Sequence, residues 1–124
     1  MEYVIESGIE VWKSFVLEIE RKIIAGEYLP GQKLPSLRTL KDEYRLSLWT
    51  IQKGLEYLAN NEVLMMKPGR GYYVRPYVQT RLFNEHKERL QKVVTDACVA
   101  AQSIGITPEE LLAPYNRMVG SDKE

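Results

Sequence analysis

The spacing of hydrophobic positions changes several times along the chain. Ile9, Val11, Trp12, Phe15, Val16, Ile19 and Ile23 recur at three- and four-residue steps, with Lys13, Glu18, Glu20, Arg21 and Lys22 between them. That period predicts an amphipathic helix, and Gly26 stops it. Tyr28-Leu29-Pro30-Gly31-Gln32 reads as a turn built from the two strongest breakers. Lys33-Leu34-Pro35 leaves room only for a very short strand before proline interrupts it.

Ser36 stands just before Leu37, Leu40 and Tyr44, an apolar stripe spaced i, i+3, i+7, and is a credible N-cap for a helix of about two turns. Arg38, Lys41 and Asp42 fall on its exposed side. A second cap, Ser47, precedes Leu48, Ile51, Leu55 and Leu58, again on one stripe, while Trp49, Gln52, Lys53 and Glu56 fall on other faces. Two short helices across a tight turn make a helix-turn-helix. Asn60-Asn61 tolerate the left-handed conformation that ends many helices. Val63 to Lys67 and Tyr72 to Arg75 are then β-favouring runs joined by Pro68-Gly69-Arg70-Gly71, which predicts a hairpin with Lys67 and Arg70 at its tip. The expected fold is mainly α with a small β-hairpin wing: a winged helix-turn-helix over residues 1–78.

Residues 79–124 differ in character and read as a two-helix C-terminal dimerisation segment. Phe83, Leu90, Ala97 and Ile104 lie seven apart, with Val93, Val94, Ala100 and Ala101 in the half-steps. Such a seam suits another helix; simple packing of the last two helices on each other is the alternative. Phe83, Leu90, Val94, Ala97, Ala101 and Ile104 are the candidate dimer contacts. Gly105 ends the first helix. Thr107-Pro108-Glu109-Glu110 supplies a cap, a first-turn proline and a glutamate at the third helical position, a strong start signal for a second helix. Pro114 lies inside that helix, where a kink or break is expected.

Composition narrows the function classes. The 124 residues carry 17 basic and 17 acidic side chains, one His and one Cys, an ordinary globular composition for one domain plus an appendage. The zero net charge hides a separation: residues 1–32 hold three basic and six acidic side chains, residues 33–75 hold eight and four, and residues 76–124 hold six and seven. A basic middle permits a phosphate-facing surface. The single Cys98 allows no internal disulfide, and neither a secretory start nor a membrane-length apolar run is visible, so the expected location is cytoplasmic.

Catalysis has little to stand on. His86 and Cys98 sit in no activating motif, no metal-ligand spacing appears, and no cofactor is implied. Pro-Gly-Arg-Gly lacks the Lys-Ser/Thr of a phosphate loop and leads into a strand. Reading double-stranded DNA, by contrast, needs a helix with polar groups on its first turns and donors for flanking phosphates. Ser47, Trp49, Thr50 and Gln52 supply the first, Arg38 and the hairpin tip the second.

The stretch Ile24-Ala25-Gly26-Glu27-Tyr28-Leu29-Pro30-Gly31-Gln32-Lys33-Leu34-Pro35-Ser36-Leu37-Arg38 resembles the N-terminal signature of GntR-family bacterial transcription regulators. Ser47-Leu48-Trp49-Thr50-Ile51 through Leu55 and Leu58 resembles that family's recognition helix, and Lys67-Pro68-Gly69-Arg70-Gly71-Tyr72-Tyr73-Val74 its wing. The three motifs cover residues 9–76 in the family's order. The short remainder resembles the small YtrA-type subgroup, whose C-terminal helices form the dimer. The resemblance implies a homodimeric regulator, a repressor, on an inverted-repeat operator, with DNA contacts from Ser36, Arg38, Ser47, Trp49, Thr50, Gln52, Lys67, Gly69, Arg70 and Gly71. Lys53, a cation of the basic middle on the same helix, joins that set. A small-molecule effector is compatible but not identified. The chain departs from the family at four places. Leu48 and Gln52 stand where basic residues are usual, Glu62 where glycine is favoured, and Gly54 where alanine is common. The two missing cations motivate an alternative reading as a winged-helix protein-interaction module.

Overall fold

A computed structural model describes residues 11–121. Its elements run α1 (Val11–Ala25), α2 (Leu37–Tyr44), α3 (Leu48–Asn60), β1 (Leu64–Lys67), β2 (Gly71–Val74), α4 (Val78–Ser103) and α5 (Pro108–Ser121). The order is that of a winged helix-turn-helix followed by two further helices. Ile9, placed on the first helix from its spacing, lies outside the described residues. The chain divides into two compact units between Phe83 and Asn84.

In the first unit α1 buries Phe15, Val16, Ile19 and Ile23, one face at helical spacing, against Ile51, Leu55 and Leu58 of α3. Leu34, Leu40, Val63, Leu64 and Val74 complete the core, and Val78 and Leu82 from the start of α4 join it. At Gly54 the backbone of α3 lies against the Phe15 ring of α1. A Cβ built there would lie 2.5 Å from Phe15 Cδ2 and 3.0 Å from Cε2. Glycine's propensity cost of about 1 kcal/mol is therefore set against a close approach to the Phe15 ring that any Cβ would crowd.

Both serine caps form as the spacing predicts. The Thr39 amide donates to Ser36 Oγ and the Thr50 amide to Ser47 Oγ, each at 3.1 Å. The short strand expected at Lys33 is a single antiparallel bridge to Tyr73, flanked by Leu34 N–H donating to the Tyr72 carbonyl (2.8 Å) and Val74 N–H to that of Gln32 (2.9 Å). It ties the α1–α2 connection to the hairpin. That hairpin pairs Leu64 with Val74 through Lys67 with Gly71, shifted by about one residue from the expected runs.

Helix ends required a correction. The left-handed residue after α3 is Glu62 (φ 61°), not Asn61 (φ −94°). Glu62 N–H donates to Ala59 and Val63 N–H to Leu58, the paired bonds of a Schellman ending. The Asn61 amide side chain donates instead to the Tyr57 carbonyl (2.8 Å). Arg81 Nη2 donates to the carbonyls of Asn61 and Glu62 at 3.0 and 3.1 Å, so a side chain from the start of α4 braces the turn. Gly26 and Gly105 close α1 and α4 with the same bond pattern.

Lys22 is held between rings, its Nζ 5.6 Å from the Tyr28 centroid and 5.2 Å from that of Tyr44, with Glu43 at 3.3 Å. Burial pushes the Tyr28 phenol up to about 12, against the pull of Lys22.

In the second unit Ala101 is buried, whereas Leu90, Val93, Val94 and Val99 of α4, Ile104 in the turn after it, and Leu112, Tyr115 and Met118 of α5 are exposed. A cleft of about 180 Å³ lies among Val94, Cys98, Ala101, Gln102, Ile106, Pro108, Leu111 and Leu112. Cys98 is a free, exposed thiol. Thr107 and Glu110 form the expected capping box, the Thr107 amide donating to Glu110 Oε1 (3.0 Å) and the Glu110 amide to Thr107 Oγ1 (3.1 Å). The break expected at Pro114 does not occur, and α5 runs through it. Glu110, whose carbonyl loses its donor to the proline, is exposed, so water can take the donor's place.

Candidate nucleic-acid interface

The Ser47 cap starts α3 at the helix-turn-helix bend, where Arg45 takes a left-handed conformation (φ 55°) and Leu46 N–H bonds back to Lys41. With Ile51, Gly54, Leu55 and Leu58 turned into the core, Trp49, Gln52 and Glu56 are exposed on the opposite face. Trp49 is 65% exposed, off the apolar stripe as its spacing predicts. Lys53 Nζ lies 5.2 Å from the Trp49 centroid and 5.0 Å from that of Trp12 on α1, a cation shared by two rings. Trp12 in turn meets the Tyr57 ring at 5.2 Å.

The structure brings Ser47, Trp49, Thr50, Gln52 and Lys53 together on the first two turns of α3. The Ser47 and Thr50 hydroxyls are 2.8 Å apart, and Gln52 Nε2 donates to Glu56 Oε2 at 3.3 Å. Ser36 is engaged in the same way, its hydroxyl donating to Thr39 Oγ1 (3.0 Å), and Arg38 is exposed on the first turn of α2.

At the hairpin, Gly69 (φ 74°) forms the tip beside exposed Arg70, and Arg70 N–H closes the turn onto Lys67 (2.8 Å). Lys67 Nζ sits 4.3 Å over the Tyr73 ring. At Gly71 (φ 109°) a Cβ would come within 3.2 Å of Lys33 Cε. Lys33, placed by the sequence in a possible short strand but not among the site residues, is thus a third cation at the hairpin, brought there by its bridge to Tyr73. Among the described residues no carboxylate pairs with Lys33, Arg38, Lys67 or Arg70. Arg75 differs, its Nε donating to the Leu64 carbonyl at 3.2 Å. Glu56, unremarked as a site residue in the sequence, puts a carboxylate on the outward face of α3. Burial, and secondarily that carboxylate, push the Tyr72 phenol upward.

Among the described residues no His/Cys/Asp/Glu group could hold a metal, and no helix is long and apolar enough to cross a membrane.

A capped helix with an exposed polar and aromatic first turn, next to a hairpin carrying unpaired cations, defines the class: winged helix-turn-helix, DNA-binding transcriptional regulators. Within that class, residues 13–74 match the bacterial regulatory proteins of the gntR family, and the chain belongs to that family. It is 24% identical to the uncharacterized HTH-type transcriptional regulator YhcF of Bacillus subtilis over 113 residues, 90% of this chain and 92% of YhcF. Its fold is that of a GntR family transcriptional regulator from Listeria monocytogenes (TM-score 0.74, 24% identity, 93% of this chain and 98% of that one). It is also similar in fold to YtrA from Sulfolobus acidocaldarius, a GntR-family transcription factor (TM-score 0.53, 23% identity, all of both chains). The family regulates transcription and is not a family of enzymes.

Proposed function

We propose that the chain is a homodimeric repressor of an inverted-repeat operator, with residues 1–78 on DNA and residues 79–124 as the dimer contact. Two-fold symmetry places one α3 in each of two major-groove half-sites and one hairpin along each flank. A protein seated over a promoter in this way excludes polymerase. The observation that carries the DNA reading is the pairing of an outward-facing first turn of α3 with hairpin cations that no carboxylate neutralises. Phe83, Leu90, Val94 and Ile104 of the seam are exposed, Ala97 is half-buried, and Ala101 is covered within the protomer. The exposed members are the surface a second copy would bury.

The experiment is a footprint and titration on the DNA upstream of the protein's own gene across a salt series. Arg38→Ala and Arg70→Ala should each weaken binding and flatten the dependence of log K on log salt by about one unit, as one phosphate contact is lost. An unchanged slope in both removes them from the interface. Binding that survives high salt and requires Trp49 but not Arg38 would favour a protein partner, for which the exposed Leu48 and Trp49 are suited.

A further inference from the structure

The first turn of α3 holds few free polar groups. The Ser47 and Thr50 hydroxyls bond to each other, Ser47 Oγ also accepts from the Thr50 amide, and the Gln52 side-chain amide donates to Glu56. The side chains standing free at its first two positions are apolar: Leu48 is 47% and Trp49 65% exposed. The Lys53 ammonium against the Trp49 and Trp12 rings restrains the indole, so its exposed surface is presented in a defined place.

In the major groove one base offers an apolar group, the C5-methyl of thymine, while guanine offers two acceptors and cytosine and adenine an amino donor. Leucine or an indole carbon edge set against guanine would leave O6 and N7 desolvated without donors, which is unfavourable. Resting on the DNA-binding reading above, we propose that Trp49 and Leu48 recognise the operator half-site through apolar contact with thymine methyl groups. The base selected under this turn is thymine, and guanine is rejected there.

The test starts from duplexes enriched by the full chain from a randomised pool. Each thymine of the enriched half-site is then replaced by uracil, which pairs identically but lacks the methyl, and affinity is measured at fixed salt. The expected result is a loss of about fourfold for each contacted methyl at one or two positions. Trp49→Ala and Leu48→Ala should each abolish a uracil effect while keeping the salt slope, and Leu48→Arg should move enrichment at its position toward guanine. An enriched site with no uracil effect anywhere overturns the proposal, and so does a uracil effect that persists in both alanine variants. Salt-steep binding without any enriched sequence overturns the thymine contact and leaves DNA binding standing. Failure to bind any duplex at low salt defeats the DNA reading itself and the contact with it.

Discussion

The two units of this chain treat their apolar side chains in opposite ways. In the first, Leu55 is 1% exposed and sits in a core that draws residues from α1, α2, α3, the hairpin and the start of α4. In the second, Leu90 is 63% exposed, and Val93, Val94, Ile104, Tyr115 and Met118 are exposed with it. A leucine in each place costs the same conformational entropy on folding, but only the first recovers it within one protomer. The winged unit has the burial of a self-sufficient domain, whereas the tail leaves exposed apolar patches of the kind that mark a surface for a partner.

The largest test of that contrast makes the same substitution on both sides. Leu55→Ala should lose about 2–5 kcal/mol in urea unfolding at every protein concentration. Leu90→Ala should leave unfolding unchanged in dilute protein and weaken only a concentration-dependent component, read by sedimentation; equal, concentration-independent losses would break the comparison. Gly54→Ala comes next, because the added methyl meets the Phe15 ring at 2.5 Å. Overpacking of about 1–3 kcal/mol should exceed the gain in helix propensity of about 1 kcal/mol, lowering the thermal midpoint. Glu62→Gly should stabilise by up to about 1 kcal/mol, since glycine takes φ 61° without the Cβ penalty; a loss would mean that the Glu62 side chain contributes more than its backbone strain costs.

The smallest effect lies in the tail. The Thr107 backbone N–H, and then its hydroxyl, hold the Glu110 carboxyl below its ordinary pKa. A lowered folded value means that the capping box adds stability above the ordinary carboxylate pKa and loses it as pH falls through the lower folded value. The Thr107 amide shift in an NMR titration should follow that acid transition, and Glu110→Gln should lack it.

Where chemistry is local, the sequence was readable. Ser36, Ser47 and Thr107 announce helix starts because cap and amide lie three residues apart on the same segment, and Gly26 and Gly105 announce ends for the same reason. The winged order and the candidate contacts on α3 followed from such signals together with a family resemblance. What escaped was set by contacts across the fold. Gly54 looks like a weak helix position until Phe15 is placed beside it, and Glu62 takes the left-handed turn with Arg81 bracing it from α4. At Pro114 the helix continues without a break, since the penalty depends on whether the deprived carbonyl is wet.

Cys98 is the chain's only sulfhydryl, it is exposed, and it lines the cleft among the tail's apolar side chains. A maleimide or a spin label added to the unaltered protein will therefore attach at one address on the very face in question. No cysteine has to be engineered in or removed, and the rate of alkylation reports whether that face is covered in solution.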